Sequence, residues 1–316
     1  MAKNMLIKKA ADLITSREET RTGFIEFALE KNRRSRPFIE EAKVFRHYVL
    51  KAKAPMDLLK IEEIRKPLLT ASGLSDKALQ YFTDEDKDIA IKELIKKFLE
   101  PACPYFVDEV IFRYLLIKGD SLGGSMRNII GSLAQQKLTR SLLAVMHIKE
   151  IRYAYLYKDN TNWLQQPADD YGIENNIRAI HWVSNGNDRV FAFNLKIPAI
   201  GKNVDLCLFN CDAQGYALGN IVKNNMPMLM LGELKGGIDP AGADEHWKTA
   251  NTALDRIRSA FSDREEPLLT SFVGAAIERS MADEIFAQIN TKTLSFAANL
   301  TKEEQLIEYC SWLLSI

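Results

Sequence analysis

The residues best suited to chemistry in this sequence are Glu233 and Lys235, which follow the apolar run Met228–Gly232. Such a run is typical of a strand buried on both faces. Because the two charged residues are two positions apart, their side chains point to the same face of that strand. The pair is costly at the end of a buried strand unless the charges pair or bind something. Glutamate is a hard oxygen ligand and lysine can hold a phosphate charge or an attacking water, which favours a metal-dependent nuclease.

Asp205 supplies a second carboxylate. It interrupts the apolar run Val204–Phe209, one predicted strand and about thirty residues before Glu233. A lone aspartate in a strand can simply bond a backbone amide or a lysine, and the spacing D…ExK alone matches many sequences by chance. Carboxylates that converge from adjacent strands can nevertheless hold one or two Mg²⁺ ions, with a substrate phosphate completing the coordination. Asp205 and Glu233 are therefore the candidate metal ligands, and Lys235 is the candidate catalytic lysine.

Two polar residues follow the glycine pair Gly236–Gly237 that ends the strand. His246 lies one turn into the next predicted helix, close to the strand end, where a histidine can act as a general base near neutral pH. On these residues alone, a capping or hydrogen-bonding role near a helix start is the commoner explanation of such a histidine. Asp239, in the intervening loop, can cap that helix or accept a hydrogen bond from a base amino group.

Two basic segments are candidates for contact with DNA phosphates. The first, 31–36, contains Arg33 and Arg34, although such a cluster is more often a solvated turn. The second, 118–128, is predicted to be a glycine-bearing turn that presents backbone N–H groups and Arg127 to a phosphate. A plain loop before a helix, with Arg127 in a salt bridge, explains the second segment equally well.

The surrounding elements predict an α/β (α+β) fold. Residues 1–118 are dense in helix signals, with a helix predicted to begin at Pro37 and Ser75 as a helix N-cap. Strand signals dominate from residue 148, and a helix at 243–261 separates the last two strands, which indicates a strand–helix–strand unit. The predicted strands are 151–157, 179–183, 189–197, 202–210, 227–235 and 268–275, and two helices at 281–290 and 301–314 close the chain. We expect a helical region, 1–118, and a core, 119–316, with a central sheet flanked by helices.

Composition sets broad limits. The chain has 316 residues, of which 47% are hydrophobic and 27% charged, as in an ordinary globular protein. The formal net charge of zero neither supports nor excludes nucleic acid binding. Four scattered cysteines favour reduced thiols over a zinc site or a disulfide. Without a membrane-length apolar run or a signal-peptide pattern, we expect a cytoplasmic protein with no membrane partner.

Longer motifs around these residues resemble the AvaI/BsoBI group of type II restriction endonucleases. The resemblance is carried by ELKGGIDPAGADEHWKTA with Asp205 before it, and by the upstream segments GDSLGGSMRN and ALEKNRR. It covers most of the chain, from about Thr20 to the strand–helix unit that bears His246. One departure from the generic PD-(D/E)xK motif is visible, because Val204 stands where a proline often precedes the aspartate.

The resemblance implies a homodimer that encircles double-stranded DNA, with a PD-(D/E)xK nuclease core and an added helical domain. It implies Mg²⁺-dependent cleavage of the degenerate palindrome C-Y-C-G-R-G after the first C, leaving four-base 5′ overhangs. Asp205, Glu233 and Lys235 correspond to the catalytic triad and His246 to the proposed general base. Asp239 and Lys77 correspond to residues that contact bases, and a lysine donor to purine N7 tolerates either purine.

Three other functions are alternatives to a restriction endonuclease. A metal-dependent repair or recombination nuclease on the same core would cut by DNA structure and not at a palindrome. A catalytically silent DNA-binding protein would have no need for a charged trio at strand ends. A Schiff-base enzyme using Lys235 ranks last, because that chemistry needs a desolvated lysine without an adjacent metal-binding carboxylate.

Overall fold

The computed structural model describes residues 6–217, 221–223 and 227–316, and it leaves the side chains of Arg127 and Ala217 outside the description. These residues form two compact units, one of residues 25–128 and the other of residues 6–24 together with 129–316. This division reflects compactness alone. The predicted division into a helical region, 1–118, and a core, 119–316, stays a prediction.

The unit of residues 25–128 is helical. A buried apolar core, which includes Phe45, Leu68 and Leu94, holds its helices together. Ser75 caps one short helix as predicted, because its hydroxyl accepts a hydrogen bond from the Ala78 N–H at 3.2 Å. The helices are α1 (Arg17–Val49, which starts in the other unit), α2 (Arg65–Ala71), α3 (Asp76–Leu79), α4 (Asp84–Leu94, continued by a π-helical turn at Ile95–Leu99) and the first part of α5 (Phe106–Ile148). Short 3₁₀ helices occupy Pro55–Lys60 and Glu62–Ile64.

The predicted turn in the basic segment 31–36 and the predicted helix start at Pro37 are both wrong, because α1 runs through them without a break. Proline in a helix interior loses one backbone hydrogen bond, at a cost of about 3 kcal/mol. Side chains around it favour the helix all the same. The Ser35 hydroxyl donates to the Asn32 carbonyl at 2.8 Å, and the Arg33 guanidinium binds Glu30 one turn earlier.

The predicted turn at 118–128 is also wrong, because these residues lie inside the 43-residue helix α5. Each glycine in a helix interior costs only about 1 kcal/mol relative to alanine. The Ser121 and Ser125 hydroxyls donate back to the Ile117 and Leu122 carbonyls, which satisfies them within the helix. Apolar helical sequence on both sides therefore extends the helix through this polar stretch.

The other unit is built on an eight-stranded sheet in the order β2-β1-β3-β4-β5-β6-β7-β8. Neighbouring strands are antiparallel up to β6, and the β6–β7 and β7–β8 pairs are parallel. The mixed sheet confirms the predicted fold class, although β2 and β8 were not predicted. The strands are β1 (Tyr153–Tyr157), β2 (Leu164–Gln165), β3 (Ile177–Ser184), β4 (Asn187–Ile197), β5 (Lys202–Phe209), β6 (Met228–Lys235), β7 (Leu269–Gly274) and β8 (Phe296–Asn299).

Helices cover both faces of this sheet. The remaining helices are α6 (Ala213–Ala217), α7 (Ala243–Ala260), α8 (Arg279–Asn290) and α9 (Glu303–Leu313). One buried cluster joins the sheet to α7, α8 and the 3₁₀ turn Ala10–Leu13, and we call that side the α7 face. A second cluster joins the sheet to the end of α5 and to α9, and we call that side the α5 face. Across the described ranges, no helix is both long and apolar enough to cross a bilayer.

A buried polar network joins the N-terminal segment to the end of the sheet. The Asn299 amide donates to the Leu13 carbonyl and to the Thr15 hydroxyl, at 2.8 Å each. That hydroxyl donates to the Ala275 carbonyl at 2.7 Å, and the Ala275 N–H donates to the Lys235 carbonyl at 2.8 Å. Hydrogen bonds therefore lead from Asn299 and the start of the chain to the end of β6.

We expect Asn299→Ala to destabilise the protein by at least about 2 kcal/mol, because it leaves buried hydrogen-bonding groups without partners. Urea unfolding measures the effect. Asn162→Ala is the matched control, since Asn162 is exposed and its replacement should change the free energy of unfolding by less than about 0.5 kcal/mol. Equal losses for the two variants would contradict the structural importance of the network.

Candidate active site

The charged trio predicted from the sequence meets at the end of β6. The Lys235 Nζ donates to Glu233 Oε2 at 2.7 Å and to Asp205 Oδ2 at 3.0 Å. Leu231 packs on the α7 face, so Glu233 and Lys235, two and four positions further along the strand, point to that face as well. The structure thus brings the three residues into direct contact, and their catalytic roles remain to be tested.

The end of a strand ladder places Asp205. Strands β5 and β6 pair from Phe209 and Met228 as far as Leu206 and Gly232, where the pairing stops. Beyond that point the Leu234 N–H donates to Asp205 Oδ2 at 3.0 Å. A side-chain carboxylate therefore accepts the hydrogen bond that a backbone carbonyl of β5 would otherwise receive. This bond ties the carboxylate directly to the backbone between Glu233 and Lys235.

The site has more negative than positive charge. Burial and the neighbouring Asp205 carboxylate raise the pKa of Glu233 to about 7, although Lys235 opposes the shift. Burial alone would lower the pKa of Lys235, but the two carboxylates outweigh it and raise this pKa. Two acids share one ammonium group in a largely buried place. An added cation would be stabilised there, and it would favour the ionised form of Glu233.

This donor set fits Mg²⁺ better than a metal that needs a complete protein cage. In the described part of the chain, no group of three or more His, Cys, Asp and Glu side chains is arranged to hold a metal ion. Mg²⁺ is usually held by one or two carboxylates, and it keeps several waters or binds substrate phosphates. Asp205 and Glu233 provide those two carboxylates, side by side on Lys235.

The glycine pair after β6 lets the chain leave the sheet between two close neighbours. A Cβ on Gly236 would lie 2.5 Å from the Ala134 Cβ and 2.8 Å from the Ile130 carbonyl oxygen of α5. A Cβ on Gly237 would lie 2.6 Å from Cε1 of the His246 ring. Position 236 therefore requires glycine for space, because the close neighbours include backbone of α5, whereas a side chain at position 237 would displace the His246 ring. The half-buried His246 ring lies next to Gly237, two residues after Lys235. It has no hydrogen bond to Asp205, Glu233 or Lys235.

Asp239 occupies the loop between β6 and α7. Its Oδ1 accepts a hydrogen bond from the Ala241 N–H at 3.0 Å, so it caps the 3₁₀ turn Pro240–Gly242. The capping role considered from the sequence is therefore present. Contact with a base amino group stays a prediction.

The other predicted DNA contacts lie in the unit of residues 25–128. Lys77 is exposed on α3, and the backbone of Arg127 is within α5, but its side chain lies outside the described residues. Arg33 and Arg34 both bind the Glu30 carboxylate, at 2.8 and 2.5 Å, and the Arg33 hydrogen bond is the main cause that lowers the pKa of Glu30 to about 2. The two arginines are thus held on α1 by an ionised glutamate.

One residue near the trio was not among the site residues predicted from the sequence. Asn194, on β4, has a positive φ of 55° and stands across from Asp205. The signal was an asparagine in an otherwise apolar strand, FAFNLKI, since asparagine tolerates this conformation better than most residues. Strand propensity alone gave no reason to single it out.

The raised pKa of Glu233 predicts how stability changes with pH. Between its ordinary value of 4.5 and about 7, the folded protein holds a proton on Glu233 that the unfolded chain has lost. This group therefore makes stability fall as pH rises through that interval, by up to about 1 kcal/mol per pH unit. Glu233→Gln removes this contribution. The free energy of unfolding of the variant, relative to that of the wild type, should therefore increase as pH rises from 5 to 7.

Urea unfolding in the presence of a chelator measures both proteins at pH 5, 6 and 7. Glu245→Gln, at an exposed glutamate of α7, is the control and should follow the wild type. A constant difference between Glu233→Gln and wild type across this range would show that Glu233 ionises as it does in the unfolded chain.

Comparison with known proteins identifies the family. The model of the family described as restriction endonuclease BsobI matches residues 3–316. The type II restriction enzyme BsoBI of Geobacillus stearothermophilus is 52% identical over 98% of this chain and 97% of its own length. The type II restriction enzymes AvaI of Nostoc sp. and of Anabaena variabilis are each 46% identical, over 98% of both chains compared. With a mixed sheet that ends in a carboxylate–lysine trio and a match of this extent, the chain belongs to the BsobI family of type II restriction endonucleases.

Proposed function

We propose that this restriction endonuclease hydrolyses phosphodiester bonds of duplex DNA with Mg²⁺, at the palindrome C-Y-C-G-R-G. Cleavage follows the first C of each strand and leaves four-base 5′ overhangs. The observation that carries the chemical part is the contact of Lys235 Nζ with both Glu233 and Asp205, at 2.7 and 3.0 Å. The recognition sequence rests on the motifs shared with the AvaI/BsoBI group.

Asp205 and Glu233 hold the metal ion in this proposal. When bound, Mg²⁺ neutralises charge on the reacting phosphate and lowers the pKa of a coordinated water. Lys235 keeps its proton, because the two carboxylates raise its pKa. Its ammonium group therefore acts as a hydrogen-bond donor that stabilises the negative charge developing on a phosphoryl oxygen.

His246 is the proposed general base. Its ring lies against Gly237, two residues beyond Lys235, and it is not committed to a hydrogen bond within the described residues. A neutral imidazole nitrogen in that place can accept the proton of the attacking water. The absence of a fixed partner leaves the nitrogen available for that proton.

Sequence reading and DNA binding are assigned to both parts of the chain. Lys77 donates to purine N7 atoms, which accounts for tolerance of either purine at the degenerate position, and Asp239 accepts from a base amino group. Arg33, Arg34 and Arg127 contact phosphates, which fixes the protein on the duplex without reading sequence. In this assignment residues 1–118 embrace the DNA and residues 119–316 carry out catalysis.

A homodimer follows from the symmetry of the target. Each half of a palindrome presents the same groups, so two copies related by a two-fold axis read it with identical surfaces. We propose that the two subunits encircle the duplex, and that the enzyme works in the cytoplasm. Sedimentation analysis with and without a duplex that contains the site tests the stoichiometry of two subunits per site.

Digestion of a fully sequenced plasmid with Mg²⁺, followed by sequencing of the fragment ends, tests the activity directly. We expect ends only at C-Y-C-G-R-G, each with a four-base 5′ overhang. Lys235→Ala should lower the cleavage rate at least about 1,000-fold, because it removes a donor to the developing charge, while specific binding of the duplex is retained.

Lys248→Ala is the matched control. Lys248 is an exposed lysine of α7 paired with Asp244, and its loss should leave cleavage unchanged. Cutting at nicks, junctions or damaged bases would favour a repair nuclease, and binding without cutting by the wild type would favour a silent DNA-binding protein. Cutting by Lys235→Ala at the wild-type rate would remove Lys235 from the mechanism.

The role of His246 can be tested through Gly237. His246→Ala should lower the cleavage rate about 100-fold or more at saturating Mg²⁺ and should change the pH profile of the rate, because it removes the proposed general base. Gly237→Ala should produce a similar change, because a Cβ 2.6 Å from Cε1 pushes the ring aside.

Gly242→Ala is the control for this pair, since its Cβ would meet the same ring at an ordinary 3.6 Å. It should keep both the rate and the pH profile of the wild type. If His246→Ala retains the wild-type pH profile, His246 has a structural role and the general base must be sought elsewhere.

A further inference from the structure

The backbone of Asn194 is unusual for a residue within a strand. Its φ of 55° lies in the left-handed region, although β4 continues to Ile197. The other non-glycine residues of the described chain with positive φ lie outside strands, in a β-turn or after a helix. They are Asn185, Glu150 and Lys292. A left-handed residue within a strand marks a local interruption of the kind that often adjoins a functional site.

Both β4 and β5 change faces at this point. Phe193 and Leu206 are paired and pack on the α5 face, whereas the next pair, Leu195 and Val204, packs on the α7 face. Positions two apart on a regular strand share a face, so both strands reverse their alternation between these pairs. Asn194 and Asp205 stand between the two pairs and are themselves not paired.

The two residues at the reversal point to opposite sides of the sheet. The Asn194 amide donates to Gln135 Oε1 on α5 at 3.1 Å, whereas Asp205 reaches Lys235 on the α7 face. Gln135 is only 5% exposed, and its own amide donates to the Ile177 carbonyl at 2.9 Å. A buried, fixed glutamine thus holds the Asn194 side chain on the α5 face.

We propose that Asn194 is a positioning residue for Asp205. Its left-handed backbone, locked by Gln135, reverses the alternation of β4, and the paired strand β5 follows. This break in the ladder leaves Asp205 unpaired opposite Asn194, with its side chain on the α7 face that it shares with Cys207, where its carboxylate accepts the Leu234 N–H and contacts Lys235. The catalytic consequence rests on the proposed function, but the position of Asp205 does not.

The first test substitutes Asn194 in two ways that separate backbone from side chain. Asn194→Gly retains access to positive φ, whereas Asn194→Val strongly disfavours it because valine is β-branched. The matched control is Asn185→Val, which places the same strain in the β3–β4 turn, where φ is 51°. That turn lies about 30 Å from position 194 along the strand, at about 3.3 Å per residue.

The direct readout is exchange of the Leu234 amide proton in metal-free, ¹⁵N-leucine-labelled protein. Its hydrogen bond to Asp205 is present only while the carboxylate is in place. Asn194→Val should speed this exchange at least about tenfold relative to the Leu208 amide within the same sheet, in keeping with the strain of a disfavoured backbone. Asn194→Gly and Asn185→Val should leave the ratio close to that of the wild type.

The second readout is the Mg²⁺ concentration that gives half the maximal cleavage rate. Asn194→Val should raise it about tenfold or more, whereas Asn194→Gly should restore the value to within about threefold of the wild type. The half-maximal Mg²⁺ concentration of the control Asn185→Val should stay unchanged.

Two results would overturn the proposal. One is a Leu234 exchange ratio in Asn194→Val equal to that of the wild type. The other is an equal change in the exchange ratio for Asn194→Val and Asn185→Val, which would show that Asn194 affects overall stability and not the position of Asp205 in particular. If the wild type fails to cut DNA with Mg²⁺, the proposed function fails, and the exchange ratios still decide whether Asn194 positions Asp205.

Discussion

The interaction on which this protein depends is the double contact of one ammonium group with two carboxylates at the end of β6. Glu233 is almost fully buried, with 4% of its surface exposed, and burial of charge is unfavourable unless it is compensated. Lys235 compensates both acids only because they come from adjacent strands and converge on one point. The sheet therefore holds together a group of charges that would separate in water.

Residues on both faces of the sheet hold the elements that carry this contact in place. On the α5 face, Gly236 allows close approach to Ala134, and Gln135 holds the strand next to Asp205. On the α7 face, the helix that carries His246 is anchored by Trp247, whose ring N–H donates to Glu284 of α8 at 2.6 Å. The site is thus an outcome of the packing of the whole unit.

The sequence predicted the parts of the site that local pattern determines. The apolar run before Glu233, the spacing to Lys235 and the helix after the glycine pair all depend on neighbouring residues, and they were confirmed as β6 and α7. The contact with Asp205 was expected from two adjacent strands. Local pattern failed where longer context decides. The glycines of α5 and Pro37 of α1 signal breaks, but the helical sequence on both sides keeps each helix continuous.

Other features lay beyond sequence reasoning for a different reason. Strand β8 is only four residues long, Phe296–Asn299, and is defined by its partner β7 more than by its own pattern. The side chain of Asn194 is held by a glutamine 59 residues earlier, on α5. Such features belong to the assembled sheet, and no window of sequence contains them.

The network around Asn299 also imposes an order in time. It joins Asn299 to Leu13 across 286 positions and Thr15 to Ala275 across 260, next to the backbone of Lys235. A chain is synthesised from its N-terminus at about 5–20 residues per second, so these bonds cannot form until Ala275 and Asn299 have left the ribosome. The end of the sheet that carries the trio is therefore completed only after Asn299 is available, although Asp205, Glu233 and Lys235 themselves are synthesised earlier.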